Sequence, residues 1–418
     1  MNVFIATCDL AGHTRGRAVP ASREAAVLRG GTGWVPADLA LTCFGTIAEN
    51  PFGSTGDLRL LPVPATRADI PADGDVPGTR LYLAGQTLPD GTPWECCPRT
   101  FLADAVEELR AEVGLVPVAS FEHEFTLAGP RSPDSAGPFS FERYRTAEPF
   151  GSDLVALLER NGFAPETWLP EYGEAQHEIT LAPTDALAAA DQAVLLRELV
   201  RDLARRRGLR ACFAPILHPA GSGNGVHIHL SFKGGAMHDP GRPGGLSEPA
   251  ARFCAGILRH AAALTAVTAA SPVSFLRLTP HRWSAGGVFL AERNREAMLR
   301  ICPGSGAEFN VEFRAADATA NPWLALGVLL RVGLEGIRRG YPEPVVWPES
   351  VTEAELAAVP PLPKSQDEAL DALEADEVVR GLFAPDLIDT YLSVKRTESR
   401  ALDGLDDAES CRRIADVF

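Results

Sequence analysis

Four short stretches of the chain place acids, imidazoles or an arginine at every second position. Glu122 and Glu124 flank His123, Gln176 and Glu178 flank His177, His227 and His229 flank Ile228, and Glu312 and Arg314 flank Phe313. In an extended strand, residues two apart share a face. Each stretch therefore presents carboxylate, imidazole or guanidinium on one face and apolar side chains on the other. A strand that merely meets water more usually carries a mixture of Lys, Thr, Ser and Arg. Acids turned together onto one cavity repel one another unless cations neutralise them. Such a set suits a metal site of mostly oxygen ligands with an imidazole, and hard ligands favour Mg2+ or Mn2+ over Zn2+. The carboxylates exceed what one ion needs, so two or more ions are expected.

Phosphate handling has to come from elsewhere. Neither a G-x-x-x-x-G-K-[ST] nor a G-x-G-x-x-G sequence is present, and the chain has only three lysines, Lys233, Lys364 and Lys395. The candidates are Arg293, Arg295, Arg300 and Arg314, because guanidinium stays charged and binds phosphate or carboxylate oxygens bidentately. The glycine-rich run Gly221-Ser222-Gly223-Asn224-Gly225 leads straight into the histidine strand, where Val226, Ile228, Leu230 and Phe232 alternate with His227, His229 and Ser231. Its glycines let a ligand approach the backbone closely. His123 and His177 fall on the strand faces opposite the acids and read as packed. His218 and His281 are undecided, and the cysteines receive no role.

These faces need a scaffold. Residues 1–96 are rich in Pro and Gly, with strand-like runs at Asn2–Cys8, Leu39–Phe44 and Leu58–Val63 between turn signals, and read as a small, mostly β first domain. From 97 to 418, helices alternate with the four strands. Helices are expected at Phe101–Val113, at Ser152–Asn161, from Thr184 or Asp185 through Arg207, at Glu248–Ala270, and from the Asn321-Pro322 cap to Gly340. Arg205, Arg206 and Arg207 suit the negative end of a helix dipole. Residues 129–140 read as a Pro/Gly/Ser surface loop, and the tail from Pro348 as acidic helix punctuated by prolines.

Composition bounds the partners. With 418 residues, 45% hydrophobic and 22% charged, the chain is globular and long enough for two to three domains. A net charge of -16 argues against nucleic acid or an acidic membrane surface as partner. No basic segment precedes Asp9, and the apolar run from Ala261 to Leu276 is too short to span a bilayer. Eight scattered cysteines read as reduced thiols, which points to a cytoplasmic location.

Five motifs taken in order resemble the glutamine synthetase family: Phe121-Glu-His-Glu-Phe125, Glu171-Tyr-Gly-Glu-Ala-Gln-His-Glu178, Gly223-Asn-Gly-Val-His-Ile-His-Leu-Ser231, Asn294-Arg-Glu-Ala-Met-Leu-Arg-Ile301, and Glu312-Phe-Arg314 followed by Ala320-Asn-Pro-Trp-Leu-Ala325. The likeness covers roughly residues 97–400, and Asp9-Leu-Ala-Gly-His-Thr-Arg-Gly-Arg17 is similar to that family's N-terminal domain. The resemblance implies an α+β fold, with a small β-grasp N-terminal domain and a catalytic domain of curved antiparallel β-sheet flanked by helices. It also implies homo-oligomeric rings, usually dodecamers, with sites at subunit boundaries, and a place in nitrogen metabolism. Matched by motif, Glu124, Glu171 and Glu178 would hold a first Mg2+ or Mn2+, and Glu122, His227 and Glu312 a second. His229 and Ser231 would meet ATP, Gly223 the substrate amino acid, Arg277 and Arg314 the glutamate carboxylate, and Arg295 and Arg300 the transferring phosphate.

The implied chemistry is an in-line attack of glutamate's side-chain carboxylate on the γ-phosphate of ATP, followed by displacement of phosphate by an amine. Departures from the family pattern bear on that amine. Trp283 stands where a glutamate that helps deprotonate ammonium is expected, and Cys43 or Phe44 where an ammonium-binding Asp-Gly-Ser-Ser lies. Ser222 replaces an amino-acid-reading Asn, Asn310 an Arg near the nucleotide, and no Asn-Leu-Tyr-Asp-Leu adenylylation segment precedes Pro363. An aromatic side chain packs against an alkylammonium or makes a cation–π contact with it. The expected acceptor is therefore an organic amine, a polyamine, ethanolamine or a short alkylamine, in place of ammonia. The alternatives are a glutamine synthetase using ammonia, a non-catalytic homologue that binds glutamate-like ligands, and a metal-dependent hydrolase with His227 and His229 as paired ligands.

Overall fold

The acid-bearing strands lie side by side in one sheet. The computed structural model describes residues 1–129 and 137–418. The expected surface loop at 129–140 falls largely on residues 130–136, outside the described residues.

The N-terminal sheet comprises β1 (Asn2–Cys8), β2 (Thr14–Pro20), β3 (Thr32–Trp34), β4 (Leu58–Pro62), β5 (Ala68–Ile70) and β6 (Thr79–Thr87), in the order β2-β1-β6-β4-β3 with β5 beside β6. A β1–β2 hairpin, a short helix at Glu24–Gly30 and the parallel return of β6 along β1 give the β-grasp arrangement. Leu39–Phe44 is not a strand. A 3-10 helix at Pro36–Ala40 runs into a tight turn whose Thr42 and Thr46 hydroxyls are 2.8 Å apart. Pro36 at the start of that helix favours the helical entry that short apolar runs do not reveal.

The second sheet has ten strands: β7 (Pro117–Ala128), β8 (Pro165–Pro170), β9 (Gln176–Leu181), β10 (Thr184–Asp185), β11 (Arg210–Cys212), β12 (Val226–Phe232), β13 (Gly287–Glu292), β14 (Ala297–Cys302), β15 (Asn310–Phe313) and β16 (Val346–Trp347). Their order is β16-β13-β14-β15-β12-β7-β9-β8, with β10 and β11 also on β7. From β14 to β8 the pairing is antiparallel, as the resemblance implied, but β13 pairs parallel with both β14 and β16, so the sheet as a whole is mixed.

Helices cover the apolar face of this sheet. Those at Pro98–Val113, Ala186–Arg206 and Pro322–Arg338 bury long apolar stripes, including the fully buried Trp323. The predicted Asn321 cap forms: its Oδ1 accepts from the N–H groups of Trp323 and Leu324 at 2.9 and 3.2 Å. Its Nδ2 donates to the carbonyls of Cys8 and Asp9, which ties the end of β1 to the second sheet's main helix. The single helix expected at Glu248–Ala270 is broken into Glu248–Arg259 and Ala261–Thr268. At the break His260 turns its Nδ1 to Asp376 at 2.6 Å, a partner that local sequence cannot announce. No helix among the described residues is long and apolar enough to cross a membrane.

Candidate active site

Strand register assembles the acids. On β7, Glu122 lies opposite His227 of β12, and Glu124 lies opposite Glu178 of β9. On the other side of β12, His229 pairs with Glu312 of β15, which in turn pairs with Arg300 of β14. Each residue occupies the same sheet face because the apolar neighbours between them, Phe121, Phe125, Val226, Ile228 and Phe313, are buried in the core behind. His123 and His177 are buried on that core side, as their parity predicts.

Side-chain distances show how tightly the face is drawn together. His227 Nδ1 lies 3.4 Å from Glu122 and 3.3 Å from Glu312, while its Nε2 lies 3.9 Å from Glu124. His229 Nε2 lies 3.0 Å from Glu122, and its Nδ1 lies 2.8 Å from the Asn310 amide oxygen. Arg300 reaches Glu312 at 2.7 Å, and Arg314 pairs with the same carboxylate. Among the described residues, two groups place three ligand atoms within 4.8 Å of one another: Glu122, His229 and Glu312, and Glu122, Glu178 and His227. Glu122 thus belongs to both, and the grouping by distance differs from the split that the motifs implied.

The electrostatics fit divalent cations. Burial, reinforced by Glu122, Glu124, Glu171 and Glu312, pushes the Glu178 carboxyl up to about 9. Burial likewise raises Glu171. Burial works against ionisation of Glu122 and Glu312 too, yet hydrogen bonds from His227 and His229 for Glu122, and the charges of His227 and Arg314 for Glu312, hold both well below the usual carboxylate range. Against burial, the Cys302 sulfur and the Glu122 carboxylate keep His229 protonated well above its ordinary value. Five carboxylates around the site, four on the strand face and Glu171 in the turn before β9, thus outnumber the side-chain cations that meet them, and one is forced neutral. Added positive charge held by oxygen ligands is what this donor set suits.

The remaining sequence candidates take varied positions. Glu124 accepts from Gln176 at 3.0 Å and from the Gly225 N–H at 2.8 Å. Glu171 stands in the turn before β9, its carboxylate accepting the Tyr172 N–H at 2.9 Å. Ser231 is buried and donates to the Phe309 carbonyl at 2.7 Å. Arg277 is also buried, donating to the carbonyls of Ala315 and Ala316 at 2.8 Å each. It lies directly beneath Gly223, where a Cβ would sit 2.4 Å from Arg277 Cγ, so only glycine leaves room there. Arg295 is exposed and lines a recess of about 250 Å³ with Trp283, Arg293, Asn294, Glu296 and Glu349. Trp283 is 71% exposed. Ser222 stands next to Gly223 on the rim.

Several residues at the site escaped the sequence reading. Cys302 lies 3.9 Å from His229 and 3.8 Å from Glu312. Its position two residues after Arg300 carried the signal, but β14 was not read as a strand. Gln176 joins Glu124 to the glycine rim by donating to the Gly223 carbonyl at 2.8 Å. Arg143, which is buried, donates to the carbonyls of Glu171 and Gly173 from a helix that no strand pattern touches.

Comparison with known proteins completes the description. The family "Glutamine synthetase, catalytic domain" matches residues 95–410, and "Glutamine synthetase N-terminal domain" matches residues 2–94. The gamma-glutamylpolyamine synthetase GlnA3 of Streptomyces coelicolor is 34% identical, covering 97% of this chain and 91% of that one. The glutamine synthetase of Methanocaldococcus jannaschii is 32% identical over 82% of this chain and 79% of its own. A crystal structure described as a novel glutamine synthase homolog superposes with a TM-score of 0.92 at 42% identity, covering 100% of this chain and 98% of that one. The candidate ligands on neighbouring strands, the two matched domains and these relatives agree: the chain belongs to the glutamine synthetase family of ATP-dependent ligases.

Proposed function

We propose that this ligase joins the side-chain carboxylate of glutamate to an organic amine, a polyamine, ethanolamine or a short alkylamine. The observation that carries the reading is Trp283, an exposed indole at the position where the family pattern leads one to expect an ammonium-handling glutamate. A compact, strongly hydrated ammonium ion gains little from an indole, whereas an alkylammonium adds apolar contact to the cation–π attraction. The printed name of the Streptomyces coelicolor relative, a gamma-glutamylpolyamine synthetase, supports the same reading. The names of other relatives, glutamine synthetases, favour ammonia as the alternative acceptor.

In this reading residues 1–96 and 97–418 are the two domains, and the copies assemble into rings. Glu124, Glu171 and Glu178 hold one divalent ion, and Glu122, His227 and Glu312 another, with Mg2+ or Mn2+ the ions of choice. When bound, such ions spread the charge of the transferring phosphoryl group. Arg295 and Arg300 take the phosphate oxygens, and His229 and Ser231 border the nucleotide. Gly223 forms the rim against which the amino acid lies, and Arg277 and Arg314 face its carboxylate. Glutamate's side-chain oxygen attacks the γ-phosphorus in line, ADP departs, and the resulting acyl phosphate loses phosphate to the amine nitrogen. For the amide to form, water has to be kept from that acyl phosphate.

The test is ATP turnover with glutamate against ammonium, ethylamine, 2-aminoethanol and 1,4-diaminobutane, with the amide identified by mass. An organic amine is expected to give the highest kcat/KM, by at least tenfold over ammonium. Ammonium as the best acceptor would overturn the reading.

A further inference from the structure

The loop that carries Trp283 is held in place by a residue to which no role has been given. Glu296 turns its carboxylate back across the start of β14 and accepts two backbone N–H groups, His281 on Oε2 at 3.0 Å and Trp283 on Oε1 at 2.9 Å. Both of those residues adopt positive φ, 66° and 53°, a region that side chains other than glycine rarely occupy and that persists only when its surroundings impose it. Glu296 is itself fixed. Its N–H donates to Asn294 Oδ1 at 2.8 Å, and its carbonyl accepts the Gly286 N–H at 2.9 Å.

Three further ties reach the same loop. Arg314 donates to the Trp283 carbonyl at 2.8 Å, so one residue's N–H and C=O are gripped from opposite sides. Arg282 donates to the carbonyls of Pro219 and Gly221 at 2.8 Å each, which anchors the loop to the glycine rim. Ser284 donates to the Arg277 carbonyl at 2.7 Å. With the backbone secured on all sides, the indole is left exposed and opens onto the recess that Glu296 also lines.

We propose that Glu296 is a positioning residue for the amine acceptor: by holding the N–H groups of His281 and Trp283, it presents the Trp283 indole in one fixed orientation to the incoming amine. The proposal rests on the reading of Trp283 as the acceptor-side residue. An ionised carboxylate accepting two N–H groups is a strong clamp because both bonds are charge-assisted. A glutamine at the same place keeps one acceptor oxygen and turns an N–H2 toward the other donor.

Steady-state kinetics of E296A, E296Q, W283A and the double variant W283A/E296A test this. The acceptor is whichever of ammonium, ethylamine, 2-aminoethanol and 1,4-diaminobutane the wild type uses best. E296A is expected to raise KM for that acceptor at least tenfold while KM for ATP and for glutamate stays within twofold, with E296Q intermediate. Because Glu296 acts through the indole, the double variant is expected to be no worse than W283A alone. Fully multiplicative losses in the double variant, or equal rises in KM for all three substrates, would overturn the positioning role. If W283A leaves KM for the acceptor unchanged, the reading of Trp283 fails instead, and the two failures are thereby told apart. Thermal midpoints of all four proteins, expected within a few degrees of one another, separate these effects from loss of fold.

Discussion

Glu178 shows how a single side chain records what its site needs. Its carboxyl is pushed from an ordinary value to about 9 by burial and by four neighbouring acids. In protein stripped of metal, the folded state therefore binds a proton that the unfolded chain releases above pH 4.5. The stability that Glu178 contributes is present below that pH and falls as pH rises toward 9. By pH 7 the loss amounts to about 3 kcal/mol. Urea unfolding of metal-stripped protein should thus show stability declining between pH 5 and pH 8. The E178Q variant should flatten that slope while losing most of the stabilisation that Mn2+ confers on the wild type. Equal slopes in the two proteins would contradict this account. Much of the acidic face was legible because period-2 alternation leaves a plain mark in Glu122/Glu124 and His227/His229. Glu296 left none. Its role comes from a fold-back onto His281 and Trp283 that no periodicity encodes, and Cys302 went unseen for want of a recognised strand.

At the scale of elements, turns proved harder to read than strands. The turn into β9 places Ala175 at a φ of 50°, in the left-handed region. Its carbonyl there accepts the Leu127 N–H at 2.9 Å and lies 3.0 Å from His177 Nδ1, so the conformation is enforced by the neighbouring strand. An alanine in this region is strained by about 1 kcal/mol or more, and glycine is not. The A175G variant should therefore gain about 0.5–1 kcal/mol, after the larger unfolded-state freedom of glycine is offset. Its urea midpoint would rise; a fall would show that the strain is illusory. The helix expected across 248–270 failed for a related reason. Its apolar pattern continues through His260, but the imidazole's partner Asp376 lies more than a hundred residues onward. Strands β13 and β14 were missed because they are buried on both faces and so lack alternation.

Across the whole molecule, the first and last parts of the chain meet around a buried ion pair. Lys395 and Glu398, both in the helix Pro385–Arg400 and both fully buried, approach to 2.9 Å. The second oxygen of Glu398 accepts the Cys43 N–H at 2.6 Å, in the N-terminal turn described above. Burial disfavours a charged Lys395, but Glu398 holds it protonated above its ordinary range. Removing one member leaves the other charged and unpaired in the interior, which costs about 3–5 kcal/mol. The K395M variant should lose that much by urea unfolding, and K395M/E398Q should recover part of it. A loss under about 1 kcal/mol in K395M would show that the pair is dispensable. The i,i+3 spacing of Lys395 and Glu398 is visible in the sequence, but their burial and the link to Cys43, more than 350 residues away, are not.

The division between strands and loops in this site has a further consequence. Apart from Glu171 in its turn, the side chains that would hold metal sit on four strands locked to one another by register, so a single inserted or deleted residue within β7, β9, β12 or β15 would turn every candidate ligand beyond it on that strand toward the core. The segment around Trp283 lies outside any strand and is fastened at its backbone and by Arg282 and Ser284. In the proposed reading, phosphoryl transfer depends on a frame that tolerates no shift of register, while the choice of amine depends on a segment that can be replaced without disturbing that frame. Descendants of one ancestral ligase could diversify their amines by editing that segment alone.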